Sequence, residues 1–163
     1  MRKTVFTAIA ALTMPIAAHA DFIGVYVGGG AWISEFSGDI IADLSLDNDL
    51  NIQGDTSSYI YAAFEHPVPL LPNIKVAKTR LDDSAVGTLS TDVDFNGELY
   101  VANETVATEL DLSHTDLTLY YEIIDTVLDF DLGITARYFN GDVGLNGNRE
   151  AIDLVLPMLY GRA

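Results

Sequence analysis

Between Asp116 and Phe139 the chain alternates apolar and polar residues almost without a break, and nothing else in it restricts the fold so tightly. From Val127 to Phe139, Leu128, Phe130, Leu132, Ile134, Ala136 and Tyr138 share one face, while Val127, Asp129, Asp131, Gly133, Thr135 and Arg137 share the other. The segment before it sets Leu117, Leu119, Tyr121 and Ile123 against Asp116, Thr118, Tyr120 and Glu122. A period of two marks strands with two unlike faces. Only Asp125-Thr126 separates the two runs, which predicts a tight antiparallel hairpin.

Other segments follow the same period. From Phe22 to Ile33, Ile23, Val25, Val27, Ala31 and Ile33 oppose a face that includes Gly24, Gly28 and Gly30, as expected for a crowded concave interior. Ile60, Ala62 and Phe64 oppose Tyr59, Tyr61, Ala63 and Glu65, and Ile152, Leu154, Leu156, Met158 and Tyr160 oppose Asp153, Val155, Pro157 and Leu159. Pro157 weakens the last strand because it cannot donate to a ladder. The stretch Ile74 to Leu81 admits two registers, and the one adopted turns Lys78 and Arg80 inward.

The connections come in two kinds. Pro67 to Pro72 and Asp125-Thr126 are short, whereas Ser37 to Thr56, roughly Asp82 to Asn103, and Asn140 to Glu150 are long and polar. Short turns at one end and long loops at the other form the pattern of outer-membrane barrels. The expected fold is therefore all-β, an antiparallel up-and-down transmembrane β-barrel with about six strands present, where a complete barrel has about eight to ten. Within the second long loop, Asn96-Gly97 predicts a hairpin of its own.

The first twenty residues stand apart. Met1, Arg2 and Lys3 precede an apolar run from Val5 to Ala17 and the small-x-small sequence Ala18-His19-Ala20, the three parts of a cleaved signal peptide. Removing residues 1–20 leaves residues 21–163 as the barrel domain. Two of the 8 basic and none of the 24 acidic side chains go with the leader, so the exported part has a formal charge of 6 − 24 = −18. Such a chain lacks the basic surface that nucleic acid requires. A mean hydropathy of +0.23 excludes an acidic disordered tail. Zero cysteines exclude disulfides, thiolate metal sites and thiol catalysis.

On this register the interior receives Glu65, Glu122, Asp129 and Asp131 against Lys78, Arg80 and Arg137. Four acids facing three bases predict a cross-paired plug, since charges in a narrow barrel must be matched; a conducting pore with a charged constriction is the competing expectation. A barrel of about eight strands is just wide enough for side chains to fill, which favours the plug.

Sharper motifs are weaker. Asp43, Ser45, Asp47 and Asp49 space oxygens like a calcium loop, but Asn48 and Gly54 occupy the positions of its turn glycine and bidentate glutamate. Divalent cations at the acidic loops are expected only as diffuse partners. Ser113, His114 and Asp116 resemble hydrolase ingredients without a nucleophile elbow, and successive strand residues point to opposite faces. His66, before Pro67, reads as structural. Trp32, Tyr59, Tyr61, Tyr120, Tyr121 and Tyr160 read as girdle aromatics. No enzyme, cofactor or metal site is expected.

The segments Gly24-Val25-Tyr26-Val27-Gly28-Gly29-Gly30-Ala31-Trp32, Phe64-Glu65-His66-Pro67-Val68-Pro69-Leu70-Leu71-Pro72-Asn73-Ile74, Asp116-Leu117-Thr118-Leu119-Tyr120-Tyr121-Glu122 and Leu156-Pro157-Met158-Leu159-Tyr160-Gly161 resemble those of a family of small proteobacterial outer-membrane β-barrel proteins. The resemblance implies an outer-membrane location, lipid and the barrel assembly machinery as partners, and no assigned catalytic or transport activity. The family continues with further strands where this chain stops at Gly161-Arg162-Ala163. The expectation is an N-terminal part of a longer barrel, or a sheet that oligomerises through its edges at Phe22 to Ile33 and Ile152 to Tyr160. A soluble exported β-barrel binding a small apolar ligand is the alternative.

Overall fold

The computed structural model describes residues 23–41, 44–68, 70–125 and 129–163. The leader, the center of the Asp125-Thr126 connection and the residues Asp43, Val127 and Leu128 lie outside them. The chain is all-β. Its strands are β1 (Gly24–Ile33), β2 (Asp39–Ile41), β3 (Leu44–Ser45), β4 (Thr56–Glu65), β5 (Asn73–Arg80), β6 (Asp82–Thr88), β7 (Val93–Phe95), β8 (Glu98–Tyr100), β9 (Thr105–Asp111), β10 (His114–Asp125), β11 (Asp129–Leu145) and β12 (Asn148–Arg162).

Eight of these form one antiparallel sheet in the order β1-β4-β5-β10-β11, with β12 on the far side of β11 and β6-β9 continuing the ladder above β5-β10. Only Leu81 separates β5 from β6, and only Leu112-Ser113 separates β9 from β10, so the sheet consists of six long ribbons in up-and-down order. Alternation alone reads about six strands; the sheet has eight, because two of the six ribbons are broken, at Leu81 and at Leu112-Ser113. Among the described residues β1 and β12 have one neighbour each, and the sheet is open.

The sheet curls. Lys75 on β5 places Nζ 4.6 Å from the ring centre of Tyr61 on β4 and 5.4 Å from that of Tyr160 on β12, three strands away. In a flat sheet three strand spacings span about 14 Å. The face carrying Lys75 is therefore concave. Along β1 that face is supplied by Gly28 and Gly30, against which the rings of Tyr61 and Tyr59 lie so closely that a Cβ would meet them at 2.6 and 2.9 Å. Glycine covered by a cross-strand aromatic lets a sheet bend without losing its register.

Three sequence expectations need correction. β10 runs through Asp125, which pairs with Asp129 at the start of β11, with a register shift between Glu122 and Ile124, so Asp125 belongs to a strand and not to the turn. Asn140 to Glu150 is not a loop: β11 and β12 pair up to Leu145↔Asn148, joined by Asn146-Gly147 with φ of 48° and 86°. Two successive positive φ angles make the turn whose twist suits a hairpin. Asn96-Gly97, at 51° and 80°, joins β7 to β8 in the same way, as its sequence predicts.

The third correction concerns the core. The long connections, expected as solvated acidic loops, fold into a cap that holds Leu44, Leu50, Ile52, Leu89, Val93, Phe95, Tyr100, Val106, Leu110 and Leu145 in one buried cluster. Each such side chain contributes about 1.5–3 kcal/mol when removed from water. Tyr100 Oη donates to the carbonyl of Leu145 at 3.1 Å, and Asn146 exchanges hydrogen bonds with the Ala107 backbone at 2.8 Å each way. The other described acids of the cap lie around this core, while Asp49 is itself buried there.

Candidate functional site

Strand register assigns the concave face residue by residue. Asp116 is opposite Arg137, Thr118 opposite Thr135, and Asp131 opposite both Glu122 and, on the other side, Arg162. Arg137 donates Nε to Asp116 Oδ1 and Nη2 to Oδ2, each at 2.8 Å, a two-pronged match of guanidinium to carboxylate. Next to it the hydroxyls of Thr118 and Thr135 share a hydrogen bond of 2.7 Å, both side chains buried. Tyr120, also buried, donates Oη to Glu65 Oε1 at 2.6 Å across β5. Fully buried Asp131 is ion-paired to Arg162 Nε at 2.8 Å.

Of the seven residues expected in a lumen network, Glu65, Asp131 and Arg137 carry these bonds. Glu122 is on the same face by its pairing with Asp131, at an exposed position. Asp129 is in β11, with its side chain outside the description. Lys78 and Arg80 are on the opposite face, together with exposed Ile74 and Val76, which corrects the inward register chosen for them. Their place explains it. Lys78 is level with Thr115 and Ile60 near the upper end of the apolar band, and Arg80 reaches Asp82 Oδ1 at 2.7 Å in the cap. Both side chains are exposed and need no interior partner.

Sequence reading left out Lys75, Asp116 and Arg162 as network members. With them the concave face carries, among the described side chains, four acids, Glu65, Asp116, Glu122 and Asp131, and three bases, Lys75, Arg137 and Arg162. A two-residue turn at Asp125-Thr126 would set Asp116 against Thr135; the displaced turn sets it against Arg137. Only the register, which the sequence does not print, makes that ion pair visible.

The remaining motifs act locally. His66 Nδ1 accepts the Val68 N–H at 3.2 Å, and Asn73 Oδ1 accepts the His66 N–H at 3.0 Å, which shapes the short turn. Ser113 Oγ accepts the Leu81 N–H at 3.2 Å and His114 Nδ1 is 2.9 Å from the Leu112 carbonyl, so both hold the kink between β9 and β10. In the would-be calcium loop, Asp49 accepts the Ser45 N–H at 2.7 Å and the Ser90 N–H at 3.0 Å. Those backbone donors hold its carboxyl below the ordinary range.

Two hollows flank the cap. One, about 300 Å³, is lined by Asp55, Asp82, Asp83, Glu109, Asp111 and Asp142 around Arg149. Arg149 bonds Asp142 at 3.0 Å and pairs with Glu109, while hydrogen bonds from Arg80 hold the Asp82 carboxyl low. Among the described residues no group of three or more His, Asp or Glu side chains is disposed to hold a metal ion. The other hollow, about 400 Å³, is apolar and lies between Leu44, Leu50, Val93 and Phe95 of the cap and Val143, Leu145, Ile152 and Leu154 of β11 and β12. No protein-family model, curated protein or solved structure matches the chain.

Proposed function

We propose that this chain is an integral outer-membrane β-barrel protein, structural or weakly permeable, exported by residues 1–20 and placed in the outer membrane by the barrel assembly machinery. The observation that carries the reading is the inversion of the two faces. Val25, Val27, Ile60, Ile134 and Leu159 on the convex side are 61–91% exposed, while the concave side holds charge pairs and buried hydroxyls. Water makes that arrangement costly, at about 25 cal/mol for each Å² of apolar surface left wet. Lipid removes the cost. On this reading the turn 66–72 faces the periplasm and the acidic cap faces the medium. The resemblance to small outer-membrane barrels points the same way. No reaction is assigned to the chain.

Cell fractionation against an outer-membrane marker tests it: recovery of the chain in the outer-membrane fraction is expected, and recovery with the soluble periplasmic proteins overturns it. The apolar hollow under the cap favours one second reading, a soluble exported barrel that binds a small apolar ligand. That reading requires a water-soluble monomer which takes up a fluorescent fatty-acid analogue, and Phe95→Asp should abolish the uptake.

A further inference from the structure

We infer that the turn between β4 and β5 is a lipid anchor, with Leu70 and Leu71 seated at the acyl-chain boundary of the periplasmic leaflet and not in the water beyond it. The inference rests on the membrane reading above and adds a depth to it. From Pro67 to Ile74 the chain carries no charged residue, although a connection at the periplasmic end of a barrel ordinarily lies outside the apolar band. Val68, Leu70 and Leu71 are exposed, Leu70 by 90%. They continue an apolar surface that is already present at that end of the convex face. Phe64 is opposite Ile74 across β4 and β5, both exposed, and Tyr121 of β10 reaches the turn itself. A connected apolar surface of this kind marks a place where something other than water is met.

Direction and backbone identify lipid as the occupant. Tyr121 alternates with concave Tyr120 and so belongs to the convex face, and its Oη donates to the Leu70 carbonyl at 2.9 Å. A bond from a convex side chain holds the turn against the side of the sheet where the apolar band runs, and not across the concave mouth. Leu70 also stands in the left-handed region, at φ 71°. Glycine or asparagine takes that conformation at little cost, and leucine does not. The other described non-glycine residues at positive φ, Asn51, Asn96, Asn103 and Asn146, are all asparagine. Strain of this kind persists where the residue has a use. At 90% exposure Leu70 does little for the packing of its own chain, so the use is outside it and apolar. A soluble partner that reads Pro69-Leu70-Leu71-Pro72 as a proline-rich motif needs a polyproline helix, with φ about −75° throughout; Leu70 breaks it.

The test uses the chain expressed with its leader, extracted in mild detergent and reconstituted into phosphatidylethanolamine/phosphatidylglycerol vesicles. The protein has no cysteine, so Val68→Cys in the turn and Leu99→Cys in the cap, both at exposed positions, each take a single environment-sensitive NBD label. The label in the turn should emit to the blue and be quenched by doxyl-labelled lipid, and the label in the cap should do neither. Leu70→Asn gives opposite signs for a leucine in water and a leucine in lipid. Asparagine suits the left-handed backbone better, so for a turn in water it leaves the folded-to-unfolded ratio in urea unchanged or raises it. For a turn in lipid the ratio in vesicles should fall about tenfold, the order expected when a leucine side chain loses apolar surroundings. Floating protein whose turn label is as open to aqueous iodide as its cap label overturns this inference and leaves the membrane reading standing, as does an unchanged or raised ratio for Leu70→Asn. A turn label that is shielded only when periplasmic extract is added assigns the turn to a soluble protein and overturns it too. A chain that remains in the aqueous phase overturns both.

Discussion

Single side chains set the strength of the concave network. Arg137 and Asp116 are half-sheltered partners on adjacent strands, and each satisfies the charge of the other. Arg137→Ala should destabilise the folded sheet by about 1.5–3 kcal/mol, the range for hydrogen bonds to charged groups, because Asp116 keeps its charge without its donors. Replacing both, Asp116→Leu with Arg137→Met, should restore most of the loss, since an apolar pair leaves no stranded charge. Urea titration of the three proteins in vesicles separates these outcomes; equal loss in single and double variants would show that the pair is not coupled. Asp49 supplies the pH dependence. Its folded pKa is depressed, so its contribution is complete above its unfolded pKa, about 3.9, and is lost as pH falls through the folded value. Amide exchange at Ser90 should quicken across that acid window in the wild type, while Asp49→Ala, which has no acceptor, should show fast exchange at every pH.

At the scale of elements, alternation did most of the work where strands have one wet and one apolar face. The β10–β11 faces and the six-ribbon order were legible for that reason. Lys78 and Arg80 were misread because a strand that ends in a cap can place charges outward without burying them, and alternation carries no depth. The cap was missed because its core residues are spaced singly among acids: Leu44, Leu50, Leu89 and Val106 meet only through contacts distant in sequence. The local signal for this part of the cap is Asn146-Gly147, whose positive φ angles fix the β11–β12 turn. Gly147→Val should cost about 1–2 kcal/mol, the penalty for a side chain in the left-handed region, and more for β-branching. Hydrogen exchange on Leu145 and Asn148 should rise first, before the lower sheet is affected.

For the whole molecule, the proposed membrane role turns on which face would meet lipid. Leu132→Arg puts a guanidinium on the convex face and should cost about 2–4 kcal/mol near the middle of a bilayer, seen as a lower folded yield in phosphatidylcholine vesicles. Thr135→Arg, on the concave face, should instead disrupt the Thr118 pair and crowd the interior, with vesicle binding retained. Equal folded yields of wild type and Leu132→Arg would reverse the assignment of the faces. The cap adds a mechanical property to this architecture. β6 and β9 continue the ladder of β5 and β10, and β11 and β12 run from the lower sheet to the tip without interruption. A pull on the cap along the strands, by anything that grips the acidic end, loads those ladders in shear. Many hydrogen bonds then share the force at once, whereas a tethered loop would let them open one after another.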